Sequence, residues 1–98
     1  MSVPDDGTGR DRLDRLLARL MADRDRLGPR KRSVRLRGHA TSFSLEAPFW
    51  QELQRLAGDE GLSLAELVAR IDEARGSLNL SAAVRLVVLA ALREERQE

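Results

Sequence analysis

The segment Arg37-Gly38-His39-Ala40-Thr41-Ser42-Phe43-Ser44-Leu45-Glu46 constrains the fold more than any other part of the chain. Phe43 and Leu45 alternate with Ser42 and Ser44, the period-two pattern of a strand buried on one face. Most other apolar residues fall at helical spacings. A lone strand leaves rows of backbone N–H and C=O groups without partners, and such an edge invites another strand. The simplest arrangement is that two copies pair their strands and turn the polar face toward something anionic.

Ser33-Val34-Arg35-Leu36-Arg37 also alternates, but its apolar residues are even-numbered, whereas Phe43 and Leu45 are odd. One straight strand cannot bury both sets, because a shift of one residue reverses the face. Gly38 therefore marks a bulge, a kink or a tight turn. A hairpin within the chain is the competing arrangement, although Arg37-Gly38 lacks a strong type I′ signal. The strand is expected to begin after His39, with Ser33–Arg37 as a separate basic arm.

Charge is segregated. Between Arg24 and Arg37 stand seven bases (Arg24, Arg26, Arg30, Lys31, Arg32, Arg35 and Arg37) against Asp25 alone. That is six positive charges net in a chain whose total is +1, so the remainder is at minus five. Such a cluster indicates a local anion-binding surface, nucleic acid in particular, given the strand that follows; a solvated linker is the plainer alternative.

At 98 residues the chain holds one domain at most, and its modest core would gain from a second copy. The absence of cysteine excludes disulfides and thiolate metal sites. Ala82–Leu92, the longest nearly apolar run, is broken by Arg85 and falls short of the ~18 residues of a membrane span. The acidic, polar start Met1–Asp6 is unlike a secretion signal. No membrane partner is expected, and the setting implied is the cytoplasm.

Residues 1–9 read as a disordered terminus. Residues 10–29 read as an amphipathic helical extension: Leu13, Leu16, Leu17, Leu20, Met21 and Leu27 form one stripe, with Asp11–Arg15 and Arg19–Asp23 as i,i+4 pairs. Gly28-Pro29 ends it. Residues 30–38 form the basic arm. Pro48 opens the next helix, whose core stripe is Phe49, Leu53, Leu56 and Ala57, with Trp50 on its flank. Gly61 ends that helix, and Ser63-Leu64-Ala65-Glu66 is a capping box for another, with Leu64, Leu67, Val68 and Ile71 on its apolar face. A last helix runs from about Leu80 to Glu95, capped by Asn79 or Ser81. It is apolar nearly all round, which in so small a chain points to a subunit interface.

The order strand, helix, Gly-Leu-Ser turn, helix resembles the ribbon-helix-helix family of DNA-binding proteins (Arc/MetJ-like). The resemblance rests on Thr41-Ser42-Phe43-Ser44-Leu45, on Phe49 to Ala57 and on Gly61-Leu62-Ser63. The wider pattern Arg32–His39 with Thr41-Ser42, Leu45-Glu46, Phe49-Trp50 and Asn79-Leu80-Ser81 resembles a short bacterial subgroup of that family. It covers roughly residues 32–93.

The resemblance implies a mainly α fold with one short strand. Two chains intertwine as a homodimer through an intermolecular antiparallel ribbon, residues 39–95 forming the domain together with an additional C-terminal helix. The ribbon would lie in the major groove of double-stranded DNA, with Ser42 and Ser44 facing bases and Ala40 at the rim. Lys31, Arg32, Arg35 and Arg37 would meet phosphates, as would the start of the second domain helix at Ser63 and Leu64. Phe43, Leu45, Phe49, Trp50, Leu67, Ile71, Val84, Val87 and Val88 would make the dimer core. Two serines are weak readers of sequence, which leaves more to arginines and DNA shape.

The functional expectation is a dimeric transcriptional repressor, cytoplasmic and associated with the nucleoid. The alternative is an antitoxin-like or adaptor protein that holds a partner through the Arg10–Leu27 helix or the C-terminal helix. An enzyme is not expected: there is no nucleophile elbow, cysteine nucleophile or glycine-rich phosphate loop. Lone His39 has no clustered partners for a metal, and no cofactor is expected.

Overall fold

The computed structural model describes residues 8–97. Of the terminus expected to be disordered, residues 1–7 lie outside the described residues, while Thr8 and Gly9 open a helix. The elements in chain order are α1 (Thr8–Asp23), β1 (Arg30–Leu36), β2 (His39–Leu45), α2 (Ala47–Asp59), α3 (Leu64–Ala74) and α4 (Leu80–Gln97).

The sheet corrects the reading of the basic segment. Arg30–Leu36 is not a free arm but a strand, and it pairs antiparallel with β2 inside the same chain. β1 and β2 thus form the hairpin within the chain that competed with a separate basic arm. Its turn is Arg37-Gly38, with φ of 54° and 84°. Positive φ at both central positions is the type I′ geometry, whose twist matches that of the flanking strands. Glycine accepts this freely, so the hairpin needs only one strained side-chain-bearing residue, Arg37. Leu36 faces His39, Val34 faces Thr41, Arg32 faces Phe43 and Arg30 faces Leu45. Even positions of β1 therefore share a face with odd positions of β2. The parity change at Gly38 is what a two-residue turn produces.

Each helix boundary has a local cause. Pro48 sits in the first turn of α2, where its missing N–H costs nothing. Gly61, at φ 68°, ends α2, and the Leu62 N–H returns to the Ala57 carbonyl at 2.9 Å. The α3 capping box is complete: the Glu66 N–H donates to Ser63 Oγ at 3.1 Å and the Ser63 N–H to Glu66 Oε1 at 2.9 Å. Asn79 rather than Ser81 caps α4, its Oδ1 accepting from the Ala82 N–H at 2.8 Å.

The core lies between the inner face of the hairpin and α2, α3 and α4. Phe43 and Leu45 enter from β2, Leu53 and Ala57 from α2, Leu67, Val68 and Ile71 from α3, and Ala83, Val84 and Val88 from α4. Val34, Leu36, Phe49, Trp50 and Val87 are half-buried around them. Each full burial of a Leu, Val or Ile side chain contributes about 1.5–3 kcal/mol. The residues expected as a dimer core thus pack within a single chain. α1 takes no part in that core: Leu13, Leu16, Leu17, Leu20 and Met21 are all exposed. Neither expected ion pair of α1 forms; Asp23 instead pairs with Arg26. The radius of gyration, 16.9 Å, exceeds the ~13 Å of a compact chain of this size.

Gly38→Ala is expected to lower unfolding stability by roughly 1 kcal/mol in urea titration, because alanine resists φ of 84°. Arg37→Asn should be neutral or slightly stabilising in the same measurement, since asparagine tolerates the left-handed region. Equal losses for both substitutions would argue against the turn.

Candidate nucleic-acid interface

The hairpin has two unlike faces. Val34, Leu36, Phe43 and Leu45 cover the core from one. On the other, Lys31, Ser33 and Arg35 of β1 lie beside Ser44, Ser42 and Ala40 of β2, all exposed. The Ser33 and Ser42 hydroxyls are 3.3 Å apart, a cross-strand hydrogen bond at the centre of the face. Arg35 Nη1 donates to the Gly38 carbonyl at 3.0 Å, which steadies the guanidinium near the turn and leaves its other donors available. Lys31 lies four residues away at the opposite end, about 13 Å along the strand. The result is a narrow polar strip with a cation near each end and small side chains between.

The side chains expected to contact DNA are thereby divided. Ala40, Ser42, Ser44, Lys31 and Arg35 come together on the outer face. Arg32 turns to the other side: its guanidinium lies 5.0 Å from the Trp50 ring centroid and its Nε donates to the Leu45 carbonyl at 3.3 Å. Trp50 in turn meets Phe43, with ring centroids 6.3 Å apart and planes inclined at 51°. Arg37, in the turn, pairs with Glu73 of α3. At the start of α3, Ser63 is occupied by the capping box, and the Leu64 side chain rests against the core. The Glu66 carboxylate already sits at that positive helix end. The Ser63 N–H, and then its hydroxyl, hold the Glu66 carboxyl below the usual glutamate range.

Two contributions were not anticipated from the sequence. Ser33 joins the outer face because the hairpin brings β1 alongside β2. Arg85, the only charge inside the apolar run of α4, forms a bidentate pair with Glu46: Nε to Oε1 and Nη2 to Oε2, both at 2.9 Å. Its guanidinium also lies 5.9 Å from the Phe49 ring centroid. A lone arginine in an otherwise apolar helix was the available signal. Because Glu46 joins β2 to α2, this pair ties the base of the hairpin to α4. Among the described residues no group of three or more His, Cys, Asp or Glu side chains could hold a metal ion, and no helix is long and apolar enough to cross a membrane.

The ribbon-helix-helix domain family matches residues 29–92, which span the hairpin, α2, α3 and most of α4 and leave α1 outside. No curated protein and no solved structure matches the chain.

The hydrogen bond from Arg85 holds the Glu46 carboxyl below its ordinary value of 4.5. A depressed folded-state value stabilises the native state above the unfolded value, and this is lost as pH falls through the folded one. Acid titration of unfolding stability should therefore show a loss beginning near pH 4.5 and continuing below it, and Glu46→Gln should remove that part of the slope. An unchanged acid limb in Glu46→Gln would contradict the pairing.

Proposed function

We propose that this chain, which belongs to the ribbon-helix-helix family, is a DNA-binding transcriptional regulator that lays the outer face of its hairpin in the major groove. Domains of the family are DNA-binding regulatory domains. The observation that carries the reading is the outer strip itself: Lys31 and Arg35 near its ends and Ser33, Ser42, Ser44 and Ala40 between them. A two-stranded ribbon fits the width of the major groove. Small side chains let its backbone approach base edges closely, the serine hydroxyls donating or accepting there. The two cations meet phosphates on either side. Serines discriminate poorly among bases, so recognition draws on DNA shape as well.

Family members usually act as dimers, and the hairpin offers a route to one. In a two-residue hairpin the closing pair Leu36–His39 is hydrogen-bonded, and bonded pairs then alternate along the ladder. The backbone groups of Ala40, Ser42 and Ser44 accordingly point to the open edge of β2. A second copy pairing antiparallel along that edge would join the two hairpins into four strands with β2 at the centre. The central β2–β2 pair would then be the two-stranded ribbon that enters the groove, with Lys31 and Arg35 of the flanking β1 strands turned to its phosphate walls, and a two-fold site on DNA would follow. In this reading an intermolecular β2–β2 ribbon coexists with the hairpin inside each chain. Repression follows if the bound dimer blocks access to a promoter.

Lys31→Ala and Arg35→Ala are each expected to weaken binding to duplexes of any sequence and to flatten the dependence of log K on log salt by about 0.9 for every phosphate that is no longer neutralised. Arg32→Ala, which faces Trp50, should leave that slope almost unchanged. Titration of fluorescent duplexes by anisotropy at several salt concentrations measures both. A purified full-length chain that binds no duplex at low salt would overturn the proposal.

A further inference from the structure

α1 carries five large apolar side chains that its own chain does not cover: Leu13, Leu16, Leu17, Leu20 and Met21 are between 46% and 63% exposed. A second uncovered apolar surface lies between α3 and α4. There Ala74, Leu78, Leu86 and Val87, above the buried Ile71 and Ala83, line a groove of about 270 Å³, far more room than the ~30 Å³ of one water. Stripe and groove occur in equal numbers in any assembly of this chain.

We infer that in the dimer proposed above, on which this rests, α1 of each chain docks its leucine stripe into the α3–α4 groove of the other. The geometry of the hairpin favours the partner copy as the source of the helix. Arg37 at the turn pairs with Glu73, which lies on α3 between the groove residues Arg70 and Ala74. The groove therefore sits beside the turn end of the hairpin. α1 enters at the other end, at Arg30, about 20 Å away along the strand. Its connection is compact, because the Arg26 and Leu27 N–H groups donate to the Asp23 carbonyl at 2.8 and 3.0 Å. Only Gly28 and Pro29 remain to extend, a reach of about 10 Å. When two β2 edges pair antiparallel, the turn of one hairpin lies beside the open end of the other. Each α1 then enters at the end of the sheet that holds the partner's groove, two to three strand spacings of about 4.8 Å from it, a gap that the ~24 Å length of α1 spans.

One pair of charges fits this occupant, although Arg12 borders the stripe on the side opposite Asp14. Arg70 and Arg75 stand at the rim of the groove, Arg75 already paired with Asp72 at 2.6 Å, which leaves Arg70 as the cation for an incoming carboxylate. Asp14 borders the leucine stripe of α1, with Asp11 one turn before it, and neither forms an ion pair among the described residues. The alternative of pairing two α4 ridges has the opposite character. On α4, Arg93 and Arg96 follow Leu86 and Leu89 by seven residues, on the same helix face, so two such ridges packed in parallel would oppose like charges. Helix exchange would bury both apolar surfaces together and would explain why α1 is amphipathic yet unpacked in one chain.

The full-length chain has no cysteine, so single pairs can be introduced cleanly. Leu17→Cys with Leu86→Cys, treated with a short bismaleimide, should give a covalent dimer, whereas Leu17→Cys with Gln54→Cys, on the exposed face of α2, should not. Asp14→Arg should slow the first reaction, and Asp14→Arg combined with Arg70→Asp should restore it. A monomer linked within itself would overturn the exchange, as would the absence of any link or equal linking of both pairs. Sedimentation of the unsubstituted chain separates the two levels. A monomer removes the β2-edge dimer and the exchange with it, while a dimer without the Leu17–Leu86 link removes the exchange alone.

Discussion

The two-residue turn at Arg37-Gly38 sets the register of the hairpin, and the register sets almost everything else. With Leu36 opposite His39, the even residues of β1 and the odd residues of β2 look toward the helices. A slip of one residue in either strand would bring Lys31 and Arg35, or Ser42 and Ser44, into the core and expel the apolar residues that now fill it. Burying an unpaired ammonium or guanidinium is far costlier than strain at one turn residue. The core and the outer strip are thus two consequences of one register.

The arginines show why charge in a sequence differs from charge available on a surface. Of the basic residues near the hairpin, Arg32 spreads over Trp50 and Arg37 meets Glu73. From α4, Arg85 holds Glu46 with both carboxylate oxygens engaged. The last of these is half-buried and bidentate, so it carries more than an exposed pair such as Arg37–Glu73, whose kind contributes about 0–1 kcal/mol. These interactions fasten the two ends of the hairpin to the helices. Lys31 and Arg35 are left on the outer face, and the functional proposal rests on them.

Much of this was legible in the sequence. The alternation of Ser42, Phe43, Ser44 and Leu45 marked β2, Pro48 and Gly61 bounded α2, and the Ser63–Glu66 spacing announced the cap of α3. These are local signals, each governed by residues within a turn or two. β1 was harder. Its alternation and the parity change at Gly38 were visible, but the turn has Arg37 where Asn or Asp would advertise a type I′ geometry. Whether a strand finds its partner in its own chain or in another copy is a non-local matter that alternation does not encode. The same limit applies to α4. Its apolar character suggested a subunit interface, yet Ala83, Val84 and Val88 are buried inside one chain while Leu86, Leu89 and Leu92 remain outside. The pairing of Arg32 and Arg37 was not legible because the partners, Trp50 and Glu73, lie 18 and 36 positions away in the chain.

The proposed function stands or falls on whether the outer face of an intramolecular hairpin is the surface that meets DNA. Residue-by-residue NMR titration of the full-length chain with a short duplex at low salt examines that surface itself. The amide signals of Lys31, Ser33, Arg35, Ala40, Ser42 and Ser44 should shift together, while those of Leu53, Val68 and Val84 stay in place. Shifts confined to α1 or to α4, with the hairpin signals unmoved, would contradict the proposal.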